Sequence, residues 1–98
     1  MKNREEIMEL FDIYEKLFTN KQISYMKDYY YEDLSLSEIA ENNNVSKAFI
    51  SKSINNIKQK LFEYEKGLEY LKKRKEILKI IDEINDIDLK ERIISIIK

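Results

Sequence analysis

The stretch LSLSEIAENNNVSKAFISKSI, from Leu34 to Ile54, constrains the fold more than any other part of this chain. Two helix starts are written into it. Ser35 can accept a backbone N–H from the first turn of a helix, and Glu38, three residues on, can reach back to the Ser35 amide. Leu34 and Ile39 flank that cap as a hydrophobic staple. Ser46 then caps a second helix, with Val45 and Ile50 as its staple pair. Between the two starts, Asn42, Asn43 and Asn44 tolerate the left-handed conformation that a sharp turn needs. Ile39 and Ala40 face inward, and Ala40 is small enough for two helices to approach closely. The sequence therefore predicts a helix-turn-helix over residues 34–54. Two readings of it stand. In DNA-binding versions the second helix lies in the major groove; equally, any all-helical domain needs short capped turns.

The remainder extends the helical pattern. The 98 residues contain no proline and one glycine, Gly67, and period-two alternation is absent, so the chain reads as all-α. A first helix is expected from about Arg4 to Phe18, with Ile7, Leu10, Phe11, Tyr14, Leu17 and Phe18 on one face. Thr19 with Gln22 forms another capping box, opening a second helix to about Tyr31 that buries Ile23, Met26 and Tyr30. From Ser46 onward, Ile50, Ile54, Ile57, Leu61, Tyr64, Leu68 and Leu71 recur at alternating steps of four and three, the seam of a long helix or short coiled coil. Gly67 is the expected place for a bend or break. Another amphipathic helix carries Leu71, Ile77, Leu78, Ile80, Ile81 and Ile84. A break at Asn85–Asp88 and a cap at Asp86 or Asp88 precede a short last helix through Ile97. The expected architecture is a helix-turn-helix bundle over residues 1–66 and a C-terminal helical extension over 67–98, used for packing or dimerisation.

Composition removes whole classes of function. With no cysteine and no histidine, disulfides, thiolate nucleophiles, imidazole bases and the commonest zinc ligands are all missing. No glycine-rich phosphate loop is present. Asp82, Asp86 and Asp88 suggest a cation site, but caps and a polar turn explain them more simply. The chain is read as a non-enzyme without metal or cofactor. No apolar run approaches the roughly 20 residues of a membrane span and no signal peptide opens the chain, so a cytoplasmic protein is expected.

The net charge of −1 argues against a strong general nucleic-acid binder, but its distribution is uneven. Residues 1–41 carry five basic and ten acidic groups, and residues 63–98 carry nine of each. Between them lie Lys47, Lys52, Lys58 and Lys60 with no acid at all. The one purely positive segment contains the second helix of the motif.

The segment SLSEIAENNNVS resembles the helix-turn-helix of region 4 of bacterial sigma factors. More widely, LFDIYEKLFTNKQ, YMKDYYYEDLSLSEIA and the NNNVSK turn resemble the YlxM-type proteins of low-GC Gram-positive bacteria and mollicutes, over residues 10 to about 68. The resemblance implies a sigma-region-4-like helical domain without a wing. It also implies a DNA-binding regulator that takes part in the signal recognition particle pathway. The chain departs from the pattern in three places. Asn43 and Asn44 stand where a large apolar residue and a glycine are usual. Lys47 replaces an arginine, and Asn55 and Asn56 replace more basic residues. Lysine lacks the bidentate fork of arginine, so guanine readout is weakened.

Two functions compete. As a DNA-binding regulator, the chain would present Ser46, Lys47, Ala48, Ser51, Lys52 and Asn55 from the exposed side of the second helix. The lysines would hold phosphates, and Asn55 or a serine would touch a base edge. Phe49 reads first as a partly buried packing residue and second as a thymine-methyl contact. A homodimer would supply the second half-site. As an interaction module, the chain would instead bind a targeting or translation component, such as part of the signal recognition particle, through the acidic first helix and exposed Tyr25, Tyr29 and Tyr31. The same rings would equally serve to cover the domain's own core.

Overall fold

The computed structural model describes residues 3–98. Among them the chain forms six α-helices and no strand: α1 (Arg4–Tyr14), α2 (Asn20–Tyr30), α3 (Leu36–Asn42), α4 (Lys47–Leu68), α5 (Tyr70–Ile81) and α6 (Ile87–Ile97). The all-α helix-turn-helix fold read from the sequence is the fold observed.

Local chemistry starts most of these helices. Asn3 caps α1 by accepting the Glu6 N–H at 2.9 Å. Thr19 and Gln22 exchange both bonds of a capping box at the start of α2, and Ser35 and Glu38 do the same for α3. Ser46 accepts the Phe49 N–H at 3.0 Å and opens α4. Asp86, rather than Asp88, accepts the Leu89 N–H and opens α6. Each bond satisfies a donor that the first turn of a helix leaves without an intrahelical partner.

The core gathers where α1, α2 and α3 pack on α4. Ile7, Leu10, Phe11 and Tyr14 of α1 meet Met26 of α2, Ile39 and Ala40 of α3, and Ile50, Ile54, Ile57 and Leu61 of α4, all nearly solvent-free. Leu71 of α5 joins the same cluster. Above it, Tyr14 stacks with Tyr70 at 6.1 Å and tilts against Tyr64 at 5.7 Å, an aromatic joint between α1, α4 and α5. At the other end, Arg4 bonds the Tyr30 carbonyl and the Asp33 carboxylate, tying the start of α1 to the end of α2.

Several expectations are corrected. The first α-helix stops at Tyr14 and tightens into a 3₁₀ turn, Glu15–Leu17. A 3₁₀ turn advances about 120° per residue instead of 100°, which carries Leu17 out to solvent, 55% exposed, while Phe18 stays buried. Tyr25, read as an exposed ring, is 6% exposed and belongs to the core; Ile23, expected inside, is half-buried. Leu68, on the expected seam, is exposed. The long helix does not break at Gly67. It runs through that residue to Leu68, and the chain turns at Glu69 in left-handed backbone, φ 54°. The division expected after residue 66 therefore falls inside α4. No fully buried residue lies in α6, which contacts α5 as the second arm of a hairpin.

Candidate nucleic-acid interface

Two helices and the turn between them position this surface. The last turn of α3 closes with the Val45 N–H on the Ala40 carbonyl at 3.0 Å and the Asn44 N–H on the Glu41 carbonyl at 3.3 Å. These are the paired bonds of a Schellman motif, in which the residue after the cap takes left-handed backbone. That residue is Asn44, φ 55°. Asn43 spends its side chain on the Ile39 carbonyl at 2.7 Å. Asn43 and Asn44 thus make the turn that glycine makes elsewhere, just past the last α3 residue, Asn42.

On α4 the buried residues Ile50, Ile54, Ile57 and Leu61 define one face. At 100° per residue, Ala48, Lys52, Asn55 and Gln59 lie opposite, and all four are exposed. Ser46 and Lys47 are exposed at the helix start, whereas Ser51 is half-buried on the flank. The six residues singled out from the sequence therefore share one end of α4 but divide into a central stripe and an edge. The Ser46 hydroxyl oxygen is engaged in the cap. Gln59, which sequence reasoning passed over, extends the stripe by one turn; its spacing of four from Asn55 was the available signal.

No carboxylate lies on α4 before Glu63. Lys58 sits over the Tyr30 ring, 5.9 Å from its centroid, so one of the four lysines is partly spent inside the fold. Lys47, Lys52 and Lys60 are exposed, and none of them joins the ion pairs found among the described residues. The positive end of the helix dipole adds to their field at the α4 N-terminus. Nearby, Glu38 is held below the usual carboxylate range by hydrogen bonds from the Ser35 backbone, which keeps it ionised in its capping role. Phe49 is 49% exposed, and its ring stands at 90° to that of Tyr25 with centroids 6.5 Å apart.

Away from this surface, the described residues contain no cluster of acidic side chains fit to hold a metal, and no helix is long and apolar enough to cross a membrane. Open grooves of about 560 and 470 Å³ run between α1, α5 and the end of α6. Their rims mix Asp12, Glu9, Lys73, Arg74 and Lys75, and Arg74 and Lys75 face Asp12 and Glu9 as ion pairs across the α1–α5 seam.

Fold and turn geometry together define a small all-α helix-turn-helix protein. The chain belongs to the UPF0122 family, described as "Putative helix-turn-helix protein, YlxM / p13 like", whose match covers residues 1–98. It is similar to a UPF0122 protein of Malacoplasma penetrans, 45% identical over 86 residues that cover 85% of this chain and 80% of the relative. A UPF0122 protein of Mycoplasma capricolum is 43% identical over 93 residues, covering 93% and 82%. One from Fusobacterium nucleatum is 39% identical over 93 residues, covering 95% and 90%.

Proposed function

We propose that this protein binds duplex DNA through the first half of α4 and acts as a regulator. One observation carries the reading: over its first half, before Glu63, the second helix of a helix-turn-helix carries lysines and no carboxylate, and its outward face is unused by the core. Lys47 and Lys52 hold phosphates, and Ala48 and Asn55 between them face base edges. The small number of cations makes binding modest, with a salt slope of about one unit for each phosphate contact. The YlxM-type character of the sequence supports the signal recognition particle pathway as the setting, with components of that particle as candidate partners.

An electrophoretic shift with wild type and the Lys47→Glu, Lys52→Glu double variant tests this. Wild type shifts the duplex, and the variant does not while its far-ultraviolet circular dichroism stays helical. Each lost phosphate contact lowers the salt slope by about one unit. Unchanged affinity in the double variant would remove α4 from the interface.

A homodimer completes the proposal. Ile80 of α5 and Ile87, Leu89 and Ile96 of α6 are exposed at 59, 70, 40 and 81%, apolar surface that a second copy of the same hairpin would cover. Two-fold pairing would also offer two recognition helices to one duplex.

A further inference from the structure

Phe49 has a place that packing alone does not account for. It is the third residue of α4 and leaves half of a large apolar side chain in water, one helical turn before Lys52 and next to Ala48. The ring is nevertheless held. Tyr25, itself almost wholly buried, meets it edge-to-face, and Tyr25 is anchored in the core. An edge-to-face aromatic pair fixes orientation as well as contact. A half-exposed apolar ring braced against the core at the start of a recognition helix has a natural counterpart in the major groove, where the methyl group of thymine is the one apolar feature a base edge presents.

The other side chains lean the same way. All three arginines lie outside the motif, Arg4 in α1, Arg74 in α5 and Arg92 in α6, so the fork that most often reads guanine is absent from this surface. Asn55, exposed two turns further along α4, has the side chain that pairs bidentately with adenine. Ala48 brings a methyl and little bulk, letting the helix approach closely.

We propose that the interface reads A·T base pairs, with the exposed ring of Phe49 seated on a thymine methyl. This rests on the DNA-binding reading and adds the base class it recognises. Lysines hold the backbone of any duplex; Phe49 supplies the preference.

The test compares alternating poly(dA-dT) with alternating poly(dA-dU), which differ only in the thymine methyl, by fluorescence anisotropy competition. Wild type is expected to prefer the thymine duplex by about fourfold for each methyl it covers. Phe49→Ala is expected to bind both duplexes equally, at the level wild type shows for the uracil duplex. Phe49→Gln, which keeps a long side chain against Tyr25 but ends in an amide, is expected to lose the preference too, so the result does not depend on one variant folding. Equal binding of both duplexes by wild type overturns this inference and leaves the DNA-binding reading standing. A preference that survives in both variants also overturns it, since the discrimination would then lie in the duplex and not in Phe49. Absence of binding to either duplex overturns both readings together.

Discussion

Among the described residues, three other than glycine, Asp33, Asn44 and Glu69, hold left-handed backbone, and each lies just past the end of a helix. The single glycine is at none of them. A Cβ in this conformation costs about 1–2 kcal/mol, less for asparagine, whose short polar side chain suits it. Asn44 is therefore an apt residue for its turn, whereas Glu69 is a strained one. Gly67 carries the opposite mismatch: it sits inside α4, and a Cβ added there would meet nothing within 4 Å. Gly67→Ala should thus raise stability by about 1 kcal/mol. Glu69→Gly should raise it by a comparable amount, about 1 kcal/mol, as the left-handed strain is removed. The exposed Glu69–Lys72 pair lost in the second change is worth little. Urea midpoints of the two single variants and their double check this, and a fall in either single variant would contradict the assignment of strain. Sequence reading placed the break at Gly67 because glycine is the strongest local punctuation. It missed Glu69 because nothing in a glutamate announces positive φ.

The helices whose starts were legible are those capped from within their own first turn. Thr19–Gln22, Ser35–Glu38 and Ser46 are patterns a few residues long, and the structure forms each. Helix α5 is different. Its N-cap residue makes no side-chain cap bond, and its first amides are instead satisfied by α4: Glu65 accepts the Leu71 N–H at 3.0 Å and the Lys72 N–H at 3.1 Å. The same carboxylate accepts the Tyr14 hydroxyl at 2.7 Å, so one side chain joins α1, α4 and α5. No short motif encodes that joint, because it exists only once three helices have met. The same holds for Tyr25, whose burial depends on α4 lying across α2. Burial and the bond to Glu65 push the Tyr14 hydroxyl up to about 12 from its ordinary value of 10.0. A raised folded-state value means the neutral phenol is favoured in the fold. Its contribution to stability is complete below pH 10 and disappears as pH climbs through 12. Wild type should lose stability over that window more steeply than Tyr14→Phe, in urea titrations run at matched pH values. Parallel pH profiles for the two would show that the hydroxyl is not coupled to folding.

At the scale of the molecule, the chain is elongated, 53 × 24 × 22 Å with a radius of gyration of 16.6 Å, against about 13 Å for a compact domain of 100 residues. The excess length comes from α4, which at 1.5 Å per residue spans about 33 Å, and from the α5–α6 hairpin beyond the core. An elongated shape buries apolar side chains poorly. The hairpin shows it: Ile81 is nearly solvent-free inside the chain, yet Ile80, Ile87, Leu89 and Ile96 remain outside. The sequence signalled this surplus of isoleucine and leucine, but periodicity alone did not separate the residues the chain covers itself from those it leaves open. Ile81→Glu would damage the fold of the single chain and is a poor probe of assembly. Leu89 and Ile96 are better, because they are seven residues apart on one exposed stripe of α6 and neither is buried. If a second copy covers that stripe, wild type should sediment as a dimer. The Leu89→Glu, Ile96→Glu variant should run as a helical monomer, since burying each such side chain is worth about 1.5–3 kcal/mol. The same variant should bind a single DNA half-site as wild-type monomer does and lose the affinity gained from two. A wild-type chain that stays monomeric at every concentration tested would end the dimer proposal and leave DNA contact to one recognition helix.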